Sequence, residues 1–274
     1  VVWYLRQPKS TRQRILPLSK PKIVSCQAPP AASNGSIWPS DSTRAEQERF
    51  QTDNPQRAVR NLQRYLEWRR KHDEIRAKLG ITNDNDWDTC ATVAAHALGV
   101  TPKGPVPQMV RVYEQNGDAV RDREGYRILQ VFPGRMDEKI VPLSVYSLAL
   151  CLYIDGQLDP EEKEQMCLII DVRSGVGWPN KNGAQLIGFI RQTCGTLLTH
   201  FPGRLSKCLL YPLPSTFEWV WKLIHRCLDP ATADKICVLS GPSTKVSPAP
   251  VEQMQVYLYD DCIELMEETR KSMF

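Results

Sequence analysis

The sequence predicts an α/β fold, in which a mainly parallel or mixed sheet follows a small helical lobe. After a Pro-rich stretch at residues 102–107, strand-like and helical patterns alternate, as they do where helices connect the strands of one sheet. Residues 166–172 read MCLIIDV, a nearly continuous apolar run typical of a strand that is covered on both faces. The predicted elements are strands at 126–132, 166–172, 207–213 and 235–240, and helices at 140–154, 184–199 and 215–228.

The segments on either side of this α/β region are predicted to be helical. Helical periodicity runs from Thr43 to about Leu79, where Asn54-Pro55 indicates the start of the main helix and Gly80 its end. A second helix is expected from Trp87 to Leu98, and a final amphipathic helix from about Val251 to Met273. The chain therefore divides into an extended arm (1–42), a helical lobe (43–107), the α/β domain (108–241), and a Pro-rich turn with the C-terminal helix (242–274).

The composition excludes several classes of protein. With 274 residues, of which 42% are hydrophobic, the chain can bury one sizeable core. Its apolar runs fall short of the roughly 20 residues that span a bilayer. The nine cysteines are spread singly, which argues against a disulfide framework or a zinc site and favours a reducing, intracellular compartment. Since nucleotide-binding and hydrolase motifs are also missing from the sequence, we expect a protein that is not an enzyme and needs no cofactor.

Basic residues are concentrated in two places. Residues 1–40 contain Lys and Arg but no acidic residue before Asp41, which resembles an organelle-targeting segment of mitochondrion or plastid; an ordinary tail on a cytoplasmic protein is the alternative. The predicted main helix carries a second group, and because acidic residues are interspersed we expect a solvated face, not a nucleic-acid surface. The same face could instead meet anionic lipid head groups. This second group comprises Arg57, Arg60, Arg64, Arg69, Arg70 and Lys71.

Four segments, in chain order, carry a resemblance to a known family. They are RILQVFPGRMD (127–137), LIIDVRSGVGW (168–178), HFPGRLSK (200–207) and the stretch 214–236, PSTFEWVWKLIHRCLDPATADKI. Together they resemble the CRAL-TRIO family of lipid-binding domains. The resemblance implies an α/β fold in which an apolar gate helix lies over a lipid pocket.

The family pattern also implies particular site residues. Thr232, Lys235 and Arg49 match positions that contact a lipid head group. Gly203 and Pro212 depart from the pattern, because the family has Glu and Asn there. The gate helix would present to the pocket five apolar side chains: Phe217, Val220, Trp221, Ile224 and Leu228.

The resemblance therefore implies non-enzymatic binding of a phospholipid or other lipid, with lipid transfer and peripheral membrane contact. No nucleic-acid partner is expected. The alternative is an accessory subunit of a larger, organellar assembly that keeps the fold but has degenerate head-group recognition. Such a subunit would hold its partner through residues 1–42 and the C-terminal helix.

Overall fold

The computed structural model describes residues 37–82, 86–180, 183–213, 230–242 and 247–273, all within the compact unit Ile37–Phe274. Most of the predicted arm and the predicted helix at 215–228 lie outside the described residues. The described part consists of a helical lobe, a sheet with helices on one face, and a C-terminal helical segment on the opposite face.

The helical lobe contains α1 (Arg44–Phe50), α2 (Pro55–Leu79) and α3 (Trp87–Ala97). Asn54 caps α2, because its side-chain oxygen accepts a hydrogen bond from the backbone N–H of Arg57 at 3.0 Å. Gly80 ends the helix with a φ of 66°, a left-handed conformation that favours glycine. The predicted limits of the main helix are thus confirmed, and α1 forms a separate helix before it.

The strands of the main sheet are β1 (Val110–Val112), β4 (Arg127–Val131), β5 (Met166–Asp171), β6 (Leu205–Leu213) and β7 (Ile236–Ser240). They lie in the order β1-β4-β5-β6-β7. β1 runs antiparallel to β4, whereas β4 to β7 are mutually parallel, so the predicted mixed sheet is confirmed. A separate hairpin pairs β2 (Glu114–Gln115) with β3 (Asp118–Ala119).

Two long helices cover one face of the sheet. α4 (Leu143–Gln157) connects β4 to β5, and α5 (Gly183–His200) connects β5 to β6. A short helix, α6 (Pro230–Ala233), precedes β7. Because α3 and α4 belong to one buried cluster with β4, the core continues from the helical lobe into the α/β region. The predicted domain boundary between residues 107 and 108 stays a prediction.

The C-terminal segment forms two helices, α7 (Val251–Met254) and α8 (Asp260–Ser272), so the prediction of one helix from Val251 to Met273 is wrong. The break has a tertiary cause. Arg123 donates from its backbone N–H to the carbonyl of Tyr257 and from Nε to the carbonyl of Leu258, both at 2.9 Å. A continuous helix would need these two carbonyls for its own hydrogen bonds.

Candidate ligand-binding pocket

Strands β5 and β6 present different side chains to the two faces of the sheet. In β5, Met166, Leu168 and Ile170 point toward a cavity, while Cys167 and Ile169 pack in the buried cluster of the opposite face. β6 alternates in the same way, with Cys208 and Leu210 toward the cavity and Leu209 and Tyr211 away from it. Because successive side chains of a strand alternate, an unbroken apolar strand supplies both a pocket floor and a packed core.

The cavity has a volume of about 620 Å³, which is within the range of small-molecule binding sites. Its lining is predominantly apolar. Beyond the residues of β5 and β6, the described side chains around it come from α4, α5, the segments before β6 and β7, and the start of β7; they include Ile154, Ile190, Cys194, Leu197, Leu198, Phe201 and Ile236.

Helix α5 forms one wall of this cavity. Ile190, Cys194 and Leu197 follow one another at steps of four and three residues, so they lie on one helix face. On another side of α5, the hydroxyl of Thr193 donates to the hydroxyl of Ser147 in α4 at 2.9 Å, and Thr193 is buried. This contact holds the helix against α4 while its apolar face borders the cavity.

Two of the three predicted head-group residues border the cavity. Thr232 and Lys235 both line it, at the connection between α6 and β7. The ammonium of Lys235 donates to the carbonyl of Leu205 at 2.6 Å, and its backbone N–H donates to the carbonyl of Thr232 at 3.1 Å. Lys235 is thus held at the rim between β6 and β7, where its charge borders the apolar cavity.

Arg204 is a cavity-lining cation that the sequence did not single out, although it stands within the 200–207 segment. Its guanidinium donates to the carbonyls of Glu164 at 2.9 Å and Asp159 at 2.5 Å. Burial, with a further effect of the nearby cation Arg49, lowers the pKa of Arg204 to about 10.

Arg49 lies elsewhere than Thr232 and Lys235. It donates to the carbonyls of Pro160 at 3.0 Å and Glu162 at 2.9 Å, and it is not among the residues that border the cavity. Arg49 and Arg204 therefore both hold the loop at residues 159–164, with Arg204 nearer the ligand space. Gly203 also borders the cavity, and its φ of 74° suits glycine at the position where the family has Glu.

The five predicted gate residues, Phe217, Val220, Trp221, Ile224 and Leu228, lie outside the described residues. Their position relative to the cavity stays a prediction.

The opposite face of the sheet is closed by a buried charge cluster and by α7 and α8. Asp171, at the end of β5, forms an ion pair with Arg173 at 2.7 Å, and Arg173 also pairs with Glu267 of α8 at 2.5 Å. Arg270 joins the cluster, 3.4 Å from Asp171. Burial disfavours the charged guanidinium, but the hydrogen bonds that it donates to the carboxylates of Asp171 and Glu267 prevail and raise the pKa of Arg173 above its usual value. The cluster therefore attaches α8 to the carboxyl end of β5.

The family of the chain follows from a comparison with models of known protein families. Residues 119–264 match the model of the CRAL/TRIO domain. The chain belongs to the CRAL-TRIO family. The predicted resemblance and the predicted α/β fold class are thus confirmed. The matched range includes β5, β6 and β7, the strands whose side chains border the apolar cavity.

Two curated relatives match part of the chain. A CRAL-TRIO domain-containing protein of Schizosaccharomyces pombe is 28% identical over 115 residues, which cover 42% of this chain and 11% of the relative. The SEC14 cytosolic factor of Yarrowia lipolytica is 29% identical over 131 residues, covering 46% of this chain and 25% of the relative. This CRAL-TRIO chain therefore corresponds to a minor part of each relative's length.

Among solved structures, the crystal structure of Sfh5 aligns with a TM-score of 0.48 at 17% sequence identity. The alignment covers 72% of this chain and 62% of the other.

Two features are absent from the described residues. No helix in that part of the chain is both long and apolar enough to cross a membrane. Nor do three or more His, Cys, Asp or Glu side chains gather there in a way that could hold a metal ion.

Proposed function

We propose that this CRAL-TRIO chain is a non-enzymatic carrier that binds a phospholipid. An acyl chain of the lipid would lie in the cavity, and its phosphate would contact Thr232 and Lys235. The observation that carries the proposal is the juxtaposition of these two residues with an apolar cavity of about 620 Å³. Burying an acyl chain there supplies affinity of about 25 cal/mol for each Å² of apolar surface removed from water. A hydroxyl and an ammonium at the rim supply a hydrogen bond and a charge for phosphate.

A steric block of the cavity tests the acyl-chain part of this proposal. Cys194 lines the cavity, so Cys194→Trp should fill ligand space from the α5 wall. The matched control is Gln192→Trp, which introduces the same side chain at an exposed position of the same helix. Extraction of the purified proteins with organic solvent, followed by mass spectrometry, should find one phospholipid per chain in the wild type and the control, and little in Cys194→Trp. Equal loading of all three folded proteins would contradict the proposal.

The head-group part is tested separately with Lys235→Met, which keeps most of the apolar stem but removes the charge. We expect the variant to bind phospholipid about 10- to 150-fold more weakly, because a charge-assisted hydrogen bond contributes about 1.5–3 kcal/mol. Its binding of an uncharged lipid such as a fatty alcohol should change little. Lys139→Met, an exposed substitution away from the cavity, is the control. A uniform loss for both kinds of lipid would assign Lys235 a structural role through its bond to Leu205 instead.

Transfer of the bound lipid between membranes is part of the same proposal, and a fluorescent-phospholipid transfer assay between two vesicle populations measures it. The organellar compartment, and the larger assembly held through residues 1–42 and the C-terminal helix, stay predictions. If the protein is purified without lipid and folds only with a partner, the accessory-subunit alternative replaces the carrier.

A further inference from the structure

One flank of α2 carries a row of four cations, Arg57, Arg60, Arg64 and Lys71, which we call the α2 basic row. All four side chains are exposed. At about 100° per residue, the four positions fall within an arc of about 60°, and at about 1.5 Å per residue the row extends over about 21 Å. The row is therefore straight and faces a single direction.

The other two cations of this helix that the sequence grouped with the row are neutralised. Arg69 lies 3.3 Å from Glu46 and 3.5 Å from Asp155, and Arg70 lies 3.0 Å from Asp41. In contrast, the four members of the α2 basic row form no ion pair with any described residue. The structure thus separates six similar residues into two that are paired with carboxylates of the protein and four that are exposed without such a pair among the described residues.

The α2 basic row adjoins the rim of the cavity at two points. Gln51 and Thr52, just before α2, both line the cavity. Farther along the helix, Trp68 stands between Arg64 and Lys71 at steps of four and three residues, and its ring stacks on His200 at the end of α5 with 5.0 Å between centroids. Leu198, two residues earlier in α5, lines the cavity and is 37% exposed. The helix that Trp68 contacts therefore also carries an exposed apolar residue that borders the cavity.

The geometry points to the α2 basic row as the surface on which this protein docks to a bilayer containing anionic phospholipid. Two arguments identify an anionic bilayer as the partner of this row. The charges are complementary, and the row belongs to the same lobe that borders a cavity whose proposed ligand comes from a membrane. Head groups of an anionic bilayer form an extended negative surface, which suits a straight row of cations. This inference rests on the proposed lipid-binding function, because it explains how the cavity would approach its source of lipid.

Vesicle co-sedimentation tests the inference, with phosphatidylcholine vesicles and with phosphatidylcholine vesicles that contain phosphatidylserine. The test variant replaces the row with glutamine: Arg57→Gln, Arg60→Gln, Arg64→Gln and Lys71→Gln. The matched control removes the same charge from exposed positions outside α2: Lys103→Gln, Arg111→Gln, Lys139→Gln and Lys271→Gln. Since each cation near an anionic surface contributes a factor of about five, we expect the test variant to bind the anionic vesicles at least about tenfold more weakly than the control.

Other results would overturn the inference. Equal binding of the test and control variants would mean that net charge alone governs attachment. Equal binding of the wild type to both kinds of vesicle would exclude charge recognition. A loss of binding to a double-stranded oligonucleotide, with vesicle binding unchanged, would assign the row to nucleic acid. Extraction and mass spectrometry of the bound lipid separate this test from that of the proposed function. A test variant that contains lipid but no longer docks implicates the row alone. A wild type without lipid contradicts the carrier.

Discussion

The two faces of the sheet are built from neighbouring residues of the same strands, yet one face is filled by the chain and the other borders a cavity. Ile169 is fully buried against the C-terminal segment, with Met254, Leu258 and Met266 packed in the same cluster. Ile170, the next residue, lines the cavity. Charged groups follow the same division: those of the C-terminal face are paired inside the protein, while Lys235 stands at the cavity rim.

The difference shows how a small domain can bind an apolar ligand without losing its core. A cavity forfeits packing contacts and hydrophobic stabilisation, so stability must come from another surface. In this protein the C-terminal face supplies dense packing and a buried ion-pair cluster. We therefore expect substitutions on that face to reduce stability, and substitutions on the cavity face to reduce ligand binding.

The largest loss of stability is expected from Arg173→Met. This change leaves Asp171 buried without its closest cation and removes the link from β5 to Glu267 of α8. Breaking a buried pair in this way should lower the free energy of unfolding by about 3–5 kcal/mol, measured by urea denaturation. The control is Arg44→Met, which removes an ion pair with Glu48 whose arginine is 92% exposed, and it should change stability far less because solvent screens this pair. Similar losses in both variants would show that the cluster does not stabilise the C-terminal face.

The adjacent residues Ile169 and Ile170 allow the sharpest comparison of the two faces. Ile169→Ala should lower the free energy of unfolding by about 2–5 kcal/mol, because it leaves a hole in a packed core. Ile170→Ala in ligand-free protein should cost much less, since its side chain already borders open space, but it should weaken lipid binding. Urea denaturation and lipid titration of both variants measure the two effects. If stability falls equally and lipid binding changes in neither, the assignment of the faces is wrong.

The smallest expected effect is a loss of stability at low pH. Burial, with a contribution from nearby His72, lowers the pKa of His200 to about 4. An unfolded histidine titrates near 6.5, so the neutral imidazole contributes stability that is complete above about pH 6.5 and is lost as the pH falls toward about 4. His200 stacks on Trp68 and so connects the α5 wall of the cavity to the helical lobe. We therefore expect low pH to weaken this contact before others. Between about pH 7 and about pH 4, we expect the free energy of unfolding to fall less in His200→Gln than in the wild type. If it depends on pH equally in both proteins, His200 is not the cause.

Much of the local structure could be predicted because it depends on nearby residues. The caps at Asn54 and Gly80, and the strand at residues 166–172, follow from side-chain chemistry and periodicity within a few positions. Strands β1, β2 and β3 were not predicted, since two or three residues are too few to show a period. Arg204 belongs to the 200–207 segment that resembles the family, but its place at the cavity could not be predicted because it depends on the path of the 159–164 loop.

By itself, the sequence determined the family, the mixed α/β fold, and the joint position of Thr232 and Lys235, because these follow from ordered motifs and short-range patterns. The tertiary structure alone decided which cations are neutralised, so that Arg69 and Arg70 hold the lobe while the α2 basic row faces solvent. It also decided the break before α8 and the pairing of Arg173 with Glu267. These features depend on contacts between residues far apart in the chain, and no local pattern records which distant carbonyl or carboxylate a side chain will meet.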